Sequence, residues 1–114
     1  MQENYREAVY ELVRLIPPGS VLSYGDIAEI LSEWPEFSGG PRQVAKIMAT
    51  SNAQLPWWRV VRANGTLPPD LAEIARPHWE SEATPVREEG VRMKVARWNP
   101  AEADFEVIER ALMF

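Results

Sequence analysis

Cysteine is absent from this 114-residue chain, which removes disulfides, thiolate–zinc sites and every thiol nucleophile. A single histidine, His78, excludes a multi-histidine metal centre. No apolar run approaches the roughly 20 residues that a membrane helix requires. The N-terminal stretch MQENYREAVYELVRL lacks the basic start and apolar run of a signal peptide, so the expectation is a soluble cytoplasmic protein. The six glycines form no phosphate-binding pattern, because Gly39-Gly40 runs into Pro41 rather than into a Walker or dinucleotide motif. What remains is ordinary globular composition, 46% hydrophobic and 25% charged, of a length suited to one domain spanning 1–114.

The formal net charge of −5 argues against a polyanionic partner, but the charge is unevenly spread. Residues 1–40 sum to −5 and residues 67–114 to −4, whereas residues 41–66 carry Arg42, Lys46, Arg59 and Arg62 with no acid at all. That stretch is the part of the chain suited to phosphate.

Apolar spacing predicts a helix over 3–16, stopped by Pro17-Pro18-Gly19, and a second over 24–31 behind Ser23. A third is expected over 41–50, with Pro41 in its first turn and Val44, Ile47 and Met48 on its apolar side. Two short helices joined by a turn, the second opening with Arg42, suggest a helix-turn-helix. The β-branched residues before Asn64-Gly65 and the pair Thr66-Leu67 after it read as a hairpin, or wing. Between 70 and 98 the pattern is weak, with short helices expected near 70–75 and 79–84. A last helix should start at Asn99 as N-cap, with Pro100 at N1 and Glu102 at N3, and carry Phe105, Ile108 and Leu112 on one face. The fold class is therefore mostly α with a small β-hairpin, a winged helix-turn-helix.

Catalytic groups are scarce. Ser23, Thr50 and Ser51 have no recognisable base, and His78 follows Pro77 in an irregular segment as an ordinary surface or core histidine. The acid pairs Glu7/Glu11, Glu88/Glu89 and Glu106/Glu109 read as solvated faces. Tryptophan is the unusual signal, with five in the chain and two adjacent at Trp57-Trp58. Two readings stand for that pair. One ring is buried with the other at the rim, or one ring lines a pocket that stacks on a planar ligand such as a base.

Three ordered blocks carry a family resemblance: IPPGSVLSYGDIA (16–28), GGPRQVAKIM (39–48) and LPWWRVVRANGTL (55–67). Together they resemble the DNA-binding domain of the O6-alkylguanine-DNA alkyltransferases. In that family the third block is a Pro-Cys-His-Arg-Val motif whose cysteine accepts the alkyl group. Trp57 occupies the cysteine position, as in the alkyltransferase-like proteins, which bind alkylated DNA without repairing it.

The resemblance implies roles residue by residue. Arg42 matches the arginine finger that fills the gap left by a flipped nucleotide, and Tyr24 the tyrosine that crowds the backbone phosphate. Trp57, Trp58, Val60 and Tyr24 would form the lesion pocket, and the backbone of Val60 would meet the base edge. Gln43, Lys46, Arg59 and Arg62 join Tyr24 and Arg42 as DNA-binding residues, with Gln43 able to donate to a base edge. Asn52 would brace the turn below the pocket. Glu89-Gly90 resembles a later Glu-Gly element, with Glu89 holding Arg59 or a backbone amide.

The implied function is non-enzymatic recognition of O6-alkylguanine by a minor-groove helix-turn-helix and nucleotide flipping, presented to nucleotide excision repair. The implied partners are double-stranded DNA containing that lesion and repair proteins, with no cofactor, no metal, no membrane and a monomeric state. The acidic face of Glu3, Glu7 and Glu11 would be left for a protein partner. The alternatives are a winged-helix DNA-binding regulator without lesion selectivity, and an enzyme of unrecognised chemistry.

Overall fold

The structure, a computed structural model, describes residues 2–113, with side chains from residue 4 onward, so the Glu3 side chain lies outside the described residues. Helix α1 (Gln2–Leu15) buries Tyr5, Ala8, Val9, Leu12 and Val13 along the stripe that its apolar spacing dictates. Each large side chain removed from water there contributes about 1.5–3 kcal/mol. The chain leaves α1 through Pro17-Pro18-Gly19, where Gly19 takes φ +90°, a left-handed turn that a side chain would strain.

Strand β1 (Leu22–Ser23) leads directly into α2 (Tyr24–Leu31). Ser23 and Asp26 form a reciprocal capping box, with Asp26 N–H donating to Ser23 Oγ at 3.0 Å and Ser23 N–H to Asp26 Oδ2 at 2.9 Å. The next helix, α3 (Pro41–Ala49), has proline at N1 and Gly40 as N-cap, so no side chain caps it. Its first-turn amides stay open to an outside acceptor. Helices α2 and α3 pack together, and with α1 and α6 (Glu102–Leu112) they enclose the larger hydrophobic core, which includes Leu12, Ile27, Leu31, Val44 and Ile108. Arg6, steadied within α1 by Tyr10 Oη at 3.0 Å, ties that helix to the end of α3 by donating to Thr50 Oγ1 at 3.0 Å and Ile47 O at 3.4 Å.

A second, smaller core holds Val21, Val61, Leu67, Ala75, Trp79, Val91 and Ala96. It is built by strand β2 (Val60–Val61), helix α4 (Pro69–Ser81), the hairpin β3–β4 (Val86–Arg87 and Gly90–Val91) and the short α5 (Met93–Ala96). Strands β1 and β2 join the two cores as a parallel pair, Leu22 opposite Val60 and Ser23 opposite Val61. No helix among the described residues is long and apolar enough to cross a membrane.

The mostly helical fold with a small sheet matches the sequence reading, and its details correct that reading in four places. Asn64-Gly65 is a turn but not the bend of a β-ladder. Gly65 N–H bonds Arg62 O at 2.8 Å and Arg62 N–H bonds Thr66 O at 3.0 Å, while Val60-Val61 pair with the distant β1. The turn itself is met instead by the hairpin at 86–91, where Val91 N–H donates to Gly65 O at 2.9 Å. That approach is so close that a Cβ on Gly65 would lie 2.3 Å from Val91 O.

The region expected as two short helices is one, α4, which runs through Pro77 because Trp79 and Ala75 bury their side chains on either side of it. Helix α5 went unseen. Helix α6 starts two residues later than Asn99 and Pro100 suggest, because the Asp104 carboxylate accepts the Ala101 N–H at 2.8 Å and fixes Ala101 as the N-cap.

Candidate nucleic-acid interface

A cavity of about 510 Å³ opens between α3, the 57–62 segment and the start of α4. Tyr24 borders it from α2, Ala45, Met48 and Ala49 from α3, Trp57 and Val60 from the strand approach, and Leu67, Pro68 and Leu71 from the far side. Its walls are mostly apolar, and the polar exceptions are the Tyr24 hydroxyl and the Arg62 guanidinium. Its size suits a planar heterocycle with a substituent. Ala45 and Ala49 are one helical turn apart, so two small side chains keep this side of α3 slim. Arg42 stands one turn before Ala45, and Arg42 and Lys46 are themselves one turn apart; both are exposed. Burial pushes the Tyr24 hydroxyl above its ordinary pKa, partly opposed by the nearby Arg62 charge. It is therefore a neutral O–H at physiological pH.

Trp57 forms the wall of this cavity, but Trp58 does not. The residue turns over a single 3₁₀ turn, Trp57–Arg59, which sends consecutive side chains in different directions. Trp58 stacks on His78 with ring centres 3.8 Å apart and planes 8° from parallel, and its Nε1–H donates to Glu82 Oε2 at 2.9 Å. The expectation that Trp58 lines the pocket is thereby corrected.

Arg59 is likewise withdrawn from the DNA-binding set. Its Nε and Nη2 donate to the two oxygens of Glu82 at 3.0 and 2.6 Å, its Nη1 to Ile16 O at 2.9 Å, and only 13% of the side chain is exposed. With three of its five N–H donors taken, its charge paired and its side chain largely buried, this guanidinium is withdrawn from an outside phosphate.

The carboxylate that holds Arg59 is Glu82 and not Glu89, which is exposed and pairs with Arg87. Burial alone would raise the Glu82 pKa. Hydrogen bonds from Arg59, Trp58 and the Gly19 amide more than offset it, with the Arg59 charge, and hold the carboxyl below its ordinary 4.5. Asn52 is exposed, and the turn below the pocket is braced by Ser51, whose Oγ accepts the Ala53 N–H at 3.1 Å. Gln43 is half-buried with its amide oxygen against Gly39, so it contacts the preceding loop.

Sequence reasoning missed Glu82 and the apolar far wall. Ten acids follow residue 66, and nothing local distinguishes the one that folds back onto Arg59. The only available signal was indirect: an arginine beside two tryptophans in an acid-free stretch needs a carboxylate from elsewhere.

A second cavity, of about 420 Å³, lies between α1 and α6 and is lined by Glu7, Glu11 and Glu36 together with Phe37 and Leu112. Its acids would repel a phosphate.

The family model described as 6-O-methylguanine DNA methyltransferase, DNA binding domain, matches residues 4–91. A DNA base-flipping protein of Escherichia coli (strain K12) is 33% identical over 78 residues, which are 61% of this chain and 55% of that protein. The chain thus spans about half the length of that relative. A DNA base-flipping protein of Vibrio parahaemolyticus (serotype O3:K6) is 27% identical over 103 residues, 86% of this chain and 99% of its own. Among solved structures, the crystal structure of S. pombe Atl1 in complex with damaged DNA containing O6-carboxymethylguanine superposes with a TM-score of 0.69 at 25% identity. That superposition covers 88% of this chain and 98% of Atl1. A second S. pombe ATL–DNA complex gives 0.66 at 27% identity, with the same coverage. The chain belongs to the 6-O-methylguanine DNA methyltransferase family through its DNA-binding domain, in the alkyltransferase-like form that carries Trp57 where the alkyl-accepting cysteine is expected.

Proposed function

We propose that this protein is a non-enzymatic sensor of O6-alkylguanine in double-stranded DNA. The observation that carries the reading is the Trp57-walled apolar cavity opening beside the exposed Arg42 and Lys46, in a chain without a thiol. The cavity offers a face for stacking and no nucleophile of the kind an alkyl transfer needs. Naming of the relatives as base-flipping proteins, and the lesion in the Atl1 complex, support it.

In this reading α3 enters the minor groove. Arg42 fills the gap left in the duplex, the Tyr24 hydroxyl meets the backbone phosphate, and the extruded guanine stacks in the cavity against Trp57. The Val60 backbone meets the base edge. Extrusion costs a few kcal/mol, offset by stacking at about 1–3 kcal/mol per base and by the phosphate contacts. Lys46 and Arg62 supply the remaining cationic contacts. The protein acts as a monomer in the cytoplasm and hands the complex to nucleotide excision repair proteins.

The test is a titration of two duplexes that differ by one O6-methylguanine, followed by tryptophan fluorescence at fixed salt. Binding at least about tenfold tighter to the modified duplex, equivalent to about 1.4 kcal/mol, is expected, with the methyl group still on the DNA afterwards. Equal affinity for both duplexes would sink the sensor and leave a winged-helix regulator.

A further inference from the structure

Helix α4 meets the 57–59 turn with more chemistry than packing requires. Trp79 Nε1–H donates to the Trp58 carbonyl at 2.7 Å, His78 stacks on the Trp58 ring, and Glu82, just past the helix, accepts from both Trp58 and Arg59. The Arg59 guanidinium also lies 5.8 Å over the Trp58 ring. Trp58 is thus held by a face, an N–H and a carbonyl. Trp57 in turn stands edge-on to Trp58 (centres 5.8 Å apart, planes at 80°) and edge-on to His78 (6.3 Å, 72°). The cavity side of Trp57 is open, so these two edge contacts, together with its packing against the smaller core, oppose rotation of its ring on the protein side.

We propose that His78 and Glu82 are positioning residues for base recognition, fixing the plane of Trp57 through Trp58 and thereby setting discrimination between alkylated and normal guanine. The inference rests on the sensor reading above. A stacking platform helps only if its plane is set before the base arrives, since a ring that must be ordered on binding loses affinity to that ordering. Helix α4 also contributes Leu71 to the cavity's far wall, and Pro68 leads into the helix. One element therefore sets both the wall that would stack on the base and the wall that would face it.

The experiment uses the full chain with His78→Ala, His78→Phe and His78→Leu. Two quantities are read: the affinity ratio for modified over unmodified duplex, and acrylamide quenching of Trp57 in the free protein, obtained by difference from Trp57→Phe. H78A should lower the ratio by about threefold to tenfold and raise Trp57 quenching, whereas H78F, which keeps a flat ring, should restore both. If H78A does not fold, H78L fills the volume without a stacking face and carries the same expectation. Melting temperature provides the contrast, since a merely structural role would lower it while leaving ratio and quenching unchanged, and that result would overturn the proposal. A wild-type protein that binds both duplexes alike would overturn the sensor and this inference together. Wild-type discrimination that persists undiminished in H78A and H78L would overturn this inference alone.

Discussion

Two cavities of this molecule, of about 510 and 420 Å³, are similar in size and opposite in character. One is apolar with Arg62 at its border and Arg42 and Lys46 on the neighbouring helix; the other is edged by Glu7, Glu11 and Glu36. Volume therefore says nothing about which could take part of a nucleic acid, and charge decides. A chain of net charge −5 still carries a cationic patch because all its acids lie outside residues 41–66. A finer contrast lies within the patch. Arg59 and Arg62 are three residues apart, yet one is bound on two sides by Glu82 and the other is exposed.

Removing the Glu82 carboxylate should break that contrast most severely. Glu82→Ala leaves Arg59 charged, largely buried and unpaired, and should cost about 3 kcal/mol in urea-induced unfolding. The carboxyl also carries a pH signature. Its pKa is lowered in the folded state, so its contribution is fully present above the ordinary value of 4.5 and is lost as pH falls through the lowered folded value. Melting temperature between pH 6 and pH 3 should therefore fall more steeply in the wild type than in Glu82→Gln.

Arg42→Ala should weaken binding to lesion DNA by about 1–3 kcal/mol in a fluorescence titration, and unchanged affinity would remove its assignment as the finger. Trp57→Ala should cost about 1–2 kcal/mol on the modified duplex and less on the unmodified one; equal losses would make Trp57 purely structural. With Arg59 tied to Glu82, Lys46 and Arg62 remain for phosphate, and Arg42, inserted in the duplex, is the third cation to displace counterions. The plot of log affinity against log salt should then have a slope of about −3, flattened by about one in Arg62→Ala and by nothing in Arg59→Lys. Smallest of all, Glu7→Gln combined with Glu11→Gln should change DNA affinity by less than about 0.5 kcal/mol at 0.15 M salt, because those charges border the other cavity and are screened. A larger change would mean that the acidic surface reaches the DNA.

Local pattern made the first three helices legible. In α1 and α2 the apolar spacing, a capping serine and a proline stop all act within a few residues, and the Trp57 wall came from a motif just as local. Where the deciding partner is remote, the sequence misled. Val60-Val61 look like half of a hairpin around Asn64-Gly65, but their ladder partner is Leu22-Ser23, some 38 residues earlier in register. Pro77 reads as a break, yet burial of Ala75 and Trp79 carries the helix past it. Arg59 and Arg62 look equivalent in an acid-free stretch, and only the fold brings Glu82 to one of them. Trp58 shares a motif with Trp57, but the 3₁₀ turn separates their directions.

The bonds that hold the 57–59 turn join residues 24, 43 and, through Gly19 and Glu82, 63 positions apart. Contacts of such separation form only after the intervening chain has closed its loops, whereas α2 and α3 are neighbours in sequence and can associate early. The cationic helix therefore rests on a partner close in sequence, whereas the fixed wall of the cavity rests on contacts that close long loops, so the wall carries the larger entropic cost of the two.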